Sequence, residues 1–124
     1  MSTQRPIIVF AAASILILAG SVAADAHAHL VRAVPAAGAT VDATPSEVTL
    51  RFNEKLEKAF SSVVVRDAAG KQVDKGQGTV DPADRTTMRV PLQPLQPGVY
   101  KVEWRAVSAD THKVNGDFTF MIGK

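Results

Sequence analysis

One stretch in the second half of the chain alternates apolar and polar residues along its whole length. In residues 99–107 (VYKVEWRAV), the polar positions are Lys101, Glu103 and Arg105. A period of two is typical of a β-strand with one buried face, because successive side chains point to opposite sides of a sheet. The stretch therefore predicts a strand. Its buried face would carry Tyr100, Val102, Trp104 and Ala106.

Shorter strand patterns recur between turn signals in the rest of the chain: residues 48–52, 88–92 and 118–122 alternate, and residues 62–66 form a β-branched run. The other predicted strands are Leu30–Val34 and residues 48–52, 62–66, 71–73, 88–92 and 118–122. Seven short strands in about 100 residues, separated by turns, indicate an all-β fold, an antiparallel immunoglobulin-like β-sandwich. The sequence predicts no long helix, internal repeat or second domain.

Tyr100 enters its strand directly after a turn that contains Pro97 and Gly98. A tyrosine in this position often forms a tyrosine corner, in which its hydroxyl bonds to main chain a few residues upstream. The alternative is that Tyr100 is an ordinary core aromatic. Trp104 and Met88, which also lie on alternating strands, are expected to lie in the core.

The first 26 residues have the order of features of a secretory signal peptide. Arg5 precedes an uncharged apolar run at residues 7–19, and small residues lead to the triplet A-D-A at residues 24–26. This order predicts cleavage after Ala26. The alternative is an uncleaved membrane anchor, because residues 7–24 are near the minimum of about 17 residues that spans a bilayer.

Cleavage would release residues 27–124 as one domain without a membrane anchor, exported to the periplasm and beginning at His27. The chain has no cysteine, which excludes disulfides and lipid attachment to cysteine. The formal net charge is only +2, with basic and acidic residues interspersed. Such a balance indicates neither nucleic acid nor anionic lipid as a partner.

Three histidines are the residues most able to bind a metal. As the new N-terminus, His27 would offer an α-amine and an imidazole, which together close a chelate ring. Asp110 and His112 lie two apart in a polar segment and would point the same way if that segment is extended. Nitrogen-rich donors with a carboxylate and no thiolate suit tetragonal Cu(II), with zinc as the main competitor. Taken alone, however, an Asp-x-His pair in a loop is usually only solvated.

His29 offers a second way to hold copper. A free amine with histidine at the third position can wrap Cu(II) through the amine, two deprotonated main-chain amides and the imidazole. This arrangement needs no fold, but it requires the first residues to leave the predicted first strand. In a folded domain His29 is expected to be a nearby residue that does not bind the ion.

Several motifs together resemble the periplasmic copper-resistance family CopC and its YobA-like members. The motifs are at residues 27–30 (HAHL), 35–38 (PAAG), 50–54 (LRFNE) and 100–112 (YKVEWRAVSADTH), followed by Gly116 and residues 118–120 (FTF). They extend over essentially all of residues 27–124. The pattern W-R-x-V-S-x-D-x-H followed by a glycine is the most specific of them.

The resemblance implies a seven-stranded Greek-key β-sandwich or barrel that binds one Cu(II) ion in the periplasm. Carried over by position, the copper ligands are His27, Asp110 and His112. Glu54 matches an acidic position near the copper in some relatives. This match implies that Glu54 lies just outside the copper ligands or is a weak axial ligand. The alternative is that Glu54 is a loop residue whose carboxylate is only solvated. The family also implies a membrane partner, a CopD-type copper transporter.

The chain departs from part of the family in its methionines. Some members have a second site for Cu(I), built from a methionine-rich loop with a histidine, because thioethers are the soft donors that Cu(I) prefers. Only Met88 and Met121 follow residue 27, and residues 72–89, where that loop would fall, contain no histidine. The resemblance therefore implies that the chain has no dedicated Cu(I) site.

These observations favour a copper-binding protein of copper homeostasis and resistance rather than an enzyme. One alternative is a copper monooxygenase that uses an N-terminal histidine brace. Such an enzyme needs an open copper position and a broad flat face for a sugar chain, whereas this chain has one tryptophan and one tyrosine, both assigned to the core. The other alternative is an immunoglobulin-like structural module without a metal.

Overall fold

The computed structural model describes residues 3–4, 28–76 and 78–123. The predicted signal peptide and His27 lie outside the described residues, apart from positions 3 and 4. Eight strands follow in chain order: β1 (Leu30–Val34), β2 (Thr40–Val41), β3 (Glu47–Phe52), β4 (Ser62–Asp67), β5 (Thr79–Val80), β6 (Thr87–Pro91), β7 (Gly98–Val107) and β8 (Lys113–Ile122). Within the described ranges, no helix has the length and apolar character needed to cross a membrane.

The strands form two four-stranded sheets. The first has the order β1-β3-β6-β5 and the second has the order β2-β8-β7-β4. Because β3 and β6 lie in one sheet while β4 and β7 lie in the other, the chain crosses repeatedly between sheets, as in immunoglobulin-like Greek keys. The predicted all-β sandwich is confirmed. Its pairs are antiparallel except for β2 and β8, which run parallel.

The strand count differs in detail from the seven predicted. Residues 71–73 do not form a strand; Gln72 makes only an isolated bridge with Arg66. The two-residue strands β2 and β5 were not predicted, because two residues are too few to display an alternating pattern. Strand β8 also begins at Lys113, five residues before the predicted Phe118.

Alternation places one face of each main strand in a common core. Met88 is fully buried there, as expected. Burying an aliphatic or aromatic side chain contributes roughly 1.5–3 kcal/mol, so these faces hold the two sheets together. Other buried residues of this core are Val48, Leu50, Phe52, Val63, Val65, Val90, Val102, Ala106 and Phe120.

Strand β1 departs from strict alternation through a β-bulge. Leu30 pairs with Phe52, but Arg32 pairs with Arg51, so one extra residue, Val31, is inserted on β1. An inserted residue reverses the faces of the residues that follow it. Arg32 is consequently exposed on the outer surface, whereas Leu30 and Ala33 both pack against the core.

The start of β7 forms the predicted tyrosine corner. The Tyr100 hydroxyl donates a hydrogen bond to the main-chain oxygen of Gln96 at 2.5 Å. The ring stacks on Phe120 with 5.7 Å between ring centroids. Tyr100 is therefore fixed at both its polar and its apolar end, and the corner interpretation is confirmed.

Trp104 packs against the core but is only half-buried. Its ring meets Phe52 edge-on, with 5.1 Å between centroids. Directly across the ladder on β8 lies Gly116. A Cβ atom at Gly116 would lie 2.6 Å from Cζ2 of Trp104, so the absence of a side chain there makes room for the ring.

Gly116→Ala tests this packing. The new methyl group must displace the Trp104 ring, and overpacking of this kind costs roughly 1–3 kcal/mol in the free energy of unfolding. Urea denaturation followed by the emission of Trp104, the single tryptophan, measures that loss. Gly123→Ala is the matched control, because its Cβ would make an ordinary 3.5 Å contact with Thr40. Equal stability of the two variants would contradict the packing account.

Candidate metal centre

The loop between β7 and β8 carries the two candidate ligands Asp110 and His112. The hairpin closes at the pair Val107–Lys113, and within the loop the Ser108 main-chain N–H donates to the His112 carbonyl at 3.1 Å. Thr111 has a φ of 71°, which makes the loop turn rather than extend. Asp110 and His112 are both exposed at this tip.

Asp110 and His112 contact each other directly. Nδ1 of His112 lies 2.9 Å from Oδ2 of Asp110, and the His112 main-chain N–H donates to Oδ1 at 3.4 Å. The spacing of two residues predicts that the two side chains point the same way if the segment is extended. Instead, the tight turn brings them together through hydrogen bonds, so the pairing holds for a different structural reason.

Ser108 completes the surroundings of the Asp110 carboxylate. The side chain of Ser108 is almost fully buried at the base of the loop, and its hydroxyl donates a hydrogen bond to Oδ1 of Asp110. Hydrogen bonds from Ser108 and then His112 lower the pKa of the Asp110 carboxyl from 3.8 to about 2. The loop therefore presents a carboxylate that stays ionised throughout the range in which imidazole titrates.

The pair has the geometry by which proteins orient metal-binding imidazoles. A histidine that binds metal through one ring nitrogen usually directs the other to a carboxylate, which fixes the orientation of the ring. With Nδ1 held by Asp110, His112 would bind a metal through Nε2. A metal bound through Nδ1 would instead replace the hydrogen bond and take Asp110 as a neighbouring ligand.

The segment after β3, residues 53–57, connects this loop to the start of β1. At one end, the His29 main-chain N–H donates to Oδ1 of Asn53 at 2.6 Å, and the Asn53 N–H donates to the His29 carbonyl at 3.1 Å. At the other end, the Ala109 N–H donates to the Lys55 carbonyl at 3.2 Å. The beginning of the domain and the hairpin tip are thus attached to one short segment.

The other predicted site residues have different positions. His29 is exposed, and its main chain is held by Asn53. Glu54 is half-buried beside Asn53, and none of the contacts found among the described residues joins it to Asp110 or His112. Over the same residues, no three histidine, aspartate or glutamate side chains gather where they could hold a metal ion.

Two residues important to this region, Ser108 and Asn53, were not singled out as site residues by sequence reasoning. Ser108 lies inside the V-S-x-D-x-H motif and Asn53 lies inside F-N-E, so both were present in quoted motifs. Their roles depend on long-range or turn-specific hydrogen bonds, which spacing along a chain does not reveal.

Ser108→Ala should raise the pKa of Asp110 from about 2 toward the ordinary 3.8, because the largest stabilising hydrogen bond to the carboxylate is removed. Between these two pH values a larger fraction of the carboxyl is protonated in the variant than in the original. NMR of the carboxyl carbon during acid titration of metal-free protein measures the change. Thr111→Ala is the control, since that hydroxyl donates to the main-chain oxygen of Asp110 at 2.6 Å. Equal pKa values in the two variants would contradict the assignment.

Comparisons with known proteins agree with the fold and with the motifs. The family model described as the CopC domain matches residues 30–123. Protein YobA of Escherichia coli K12 is 38% identical over 98 residues, with 78% of this chain and 79% of YobA covered. Copper resistance protein C of Pseudomonas syringae pv. tomato is 36% identical over 108 residues, covering 82% and 85% of the two chains.

Solved structures give the same result. The crystal structure of CopC from Methylosinus trichosporium OB3b superposes with a TM-score of 0.68 and 35% identity, covering 77% of this chain and 93% of that one. PcoC of Escherichia coli, described as a methionine-rich copper resistance protein, superposes with a TM-score of 0.67 and 35% identity. The match covers 79% of this chain and 100% of that one. By sequence, domain match and structure alike, the chain belongs to the CopC family.

Proposed function

We propose that this protein binds one Cu(II) ion in the periplasm and serves as a copper carrier or buffer in copper homeostasis and resistance. The observation that carries the proposal is the exposed Asp110–His112 pair at the hairpin tip of a CopC-family domain. Residues 53–57 attach that tip to His29, which directly precedes β1 and lies two residues after His27.

The proposed ligands are the α-amine and imidazole of His27, the imidazole of His112 and the carboxylate of Asp110. Cleavage after Ala26 is part of the proposal, because only cleavage frees the amine. Three nitrogens and one oxygen without thiolate suit tetragonal Cu(II). The amine must lose a proton, and its ordinary pKa of roughly 7.7–8.0 makes acid weaken binding.

Glu54 and His29 are not proposed as primary copper ligands. Glu54 is half-buried next to Asn53, which suits a water-mediated or weak axial interaction with the ion rather than a primary bond. His29 is held through its main chain at the same segment, so we assign it no copper bond in the folded protein.

The folded structure disfavours wrapping of copper by residues 27–29. Wrapping needs the deprotonated amides of Ala28 and His29. Ala28 is fully buried, and the His29 N–H is already used by Asn53 at 2.6 Å. Wrapping would therefore expose Ala28 and break the hydrogen bond from His29 to Asn53. This cost supports the assignment of copper to the hairpin tip.

The methionines support a single site for Cu(II) without a dedicated Cu(I) site. Met88 is fully buried between the sheets, where its thioether has no access to an incoming ion. Met121 is 46% exposed, and one thioether does not make a cluster. By contrast, the related PcoC is described as methionine-rich.

A membrane copper transporter of the CopD type is the proposed partner. Copper transport protein CutJ of Bacillus subtilis is 36% identical over 100 residues, which make up 80% of this chain but 18% of CutJ. A domain of this kind is therefore one part of a longer copper transport protein. That arrangement supports a separate domain delivering its ion to a transporter.

The same structure gives little support to an enzyme. A brace-type monooxygenase needs an aromatic flat face for a sugar chain, but Tyr100 is committed to its corner and Trp104 is packed against Phe52. We therefore propose a binding role, and oxygen consumption in the presence of copper and a reductant is the measurement that would reveal an enzyme.

Cu(II) titration followed by EPR tests the proposal. The secreted protein, shown by mass spectrometry to begin at His27, should take up one Cu(II) with a tetragonal, nitrogen-rich spectrum. Asp110→Ala/His112→Ala should weaken binding and change the nitrogen pattern, because an imidazole and the carboxylate are lost. Lys101→Ala/Arg105→Ala, on the exposed face of β7, is the control and should bind as the original does.

Identical spectra and affinities in the original and the Asp110/His112 variant would contradict the hairpin site and leave copper on residues 27–29. Asp110→Asn refines the result. Asparagine still offers an oxygen to the His112 ring but loses the charge. Unchanged binding in Asp110→Asn would assign Asp110 to orienting the ring, whereas weaker binding would assign it to the copper itself.

A further inference from the structure

Arg32 and Arg51 form a like-charge pair on the outer face of the first sheet. They lie directly opposite each other on the antiparallel strands β1 and β3, and both are exposed. Residues in such a pair have Cβ atoms roughly 5 Å apart, and like charges placed this way destabilise a sheet. The pair exists because of the β1 bulge, which turns Arg32 outward instead of toward the core.

The two arginines line a surface cavity of about 300 Å³. Its walls also include Arg89, the side chains of Thr49 and Thr87, and Val34. Three arginines therefore line one concave part of the sheet, together with two threonines. This concentration of positive charge contrasts with the small net charge of +2 for the whole chain.

The acidic residues of this face have partners other than Arg32. Glu47 and Asp81 both pair with Arg89, at 2.9 Å and 3.3 Å. Asp84 accepts hydrogen bonds from Thr86 and Thr87, and Arg51 acts on it only through weaker long-range attraction. Arg89 is thereby neutralised.

Within the described part of the chain, neither Arg32 nor Arg51 makes a hydrogen bond or ion pair through its guanidinium group. Arg51 acts on Asp84 only through space, and the lining of the cavity itself contains no acidic residue. A site with two guanidiniums and no acid of its own has the composition expected for binding an anion from solution.

We propose that the cavity between Arg32 and Arg51 binds a phosphate group. Guanidinium groups donate pairs of parallel N–H bonds that match the oxygens of phosphate, and two of them can hold one phosphate from both sides. The bound anion would also remove the repulsion across the β1–β3 ladder. The phosphate comes either from free inorganic phosphate or from a phospholipid headgroup, which present the same oxygens.

The test uses metal-free, ¹⁵N-labelled secreted protein, so that its result is independent of copper. Sodium phosphate should produce saturable NMR shifts at the amides and side-chain Nε of Arg32 and Arg51, and sodium chloride at equal ionic strength should not. Arg32→Gln/Arg51→Gln should weaken phosphate binding by about tenfold or more, because both charge-assisted contacts are lost. Lys101→Gln/Arg105→Gln removes the same charge from the other sheet and should leave binding unchanged.

A second arm distinguishes the two sources of phosphate. The same proteins are sedimented with phosphatidylglycerol vesicles. Saturation by inorganic phosphate without vesicle binding assigns the site to the free anion, and vesicle binding that requires Arg32 and Arg51 assigns it to a headgroup. The proposal is overturned if phosphate and chloride act alike and vesicles do not bind, or if the Lys101/Arg105 variant loses as much binding as the arginine variant.

Discussion

Hydrogen bonds of residues 53–57 join parts of the molecule that are far apart in sequence. Asn53 holds the start of β1 through His29, while Lys55 holds Ala109 in the loop between β7 and β8. Leu56, the next residue after Lys55, is fully buried and anchors the segment in the core. The hairpin tip and the beginning of the domain are therefore positioned relative to each other by one short segment, and any site shared between them depends on it.

Most of the fold was predictable because its strands bury one face. Alternation identified β3, β6, β7 and the second half of β8 directly, since core packing imposes a period of two on the sequence. The β-branched run at residues 62–66 identified β4. The two-residue strands β2 and β5 are too short to show a period. The bulge at Val31 also escaped prediction, because its consequence, the pairing of Arg32 with Arg51, depends on register across strands rather than on sequence along one strand.

The candidate site was predicted in part. The Asp-x-His motif identified Asp110 and His112, and the structure brings the two together at 2.9 Å. The hydrogen bond from Ser108 to Asp110 depends on the turn at Thr111, which the spacing of residues along the chain does not reveal. His27 lies outside the described residues, so its role follows from the predicted cleavage and the family alone. The sandwich thus supplies a hydrogen-bonded hairpin tip, while the proposed copper site also needs the new N-terminus at His27.

The central claim is that copper is held jointly by the amine of His27 and by the hairpin tip. The most direct measurement is Cu(II) affinity and EPR for a secreted protein that carries one additional glycine before His27. Such an extension changes no residue of the described domain, but it moves the amine away from the His27 imidazole. The account predicts weaker binding and a changed nitrogen pattern in the extended protein. The same affinity and the same spectrum with and without the glycine would contradict it.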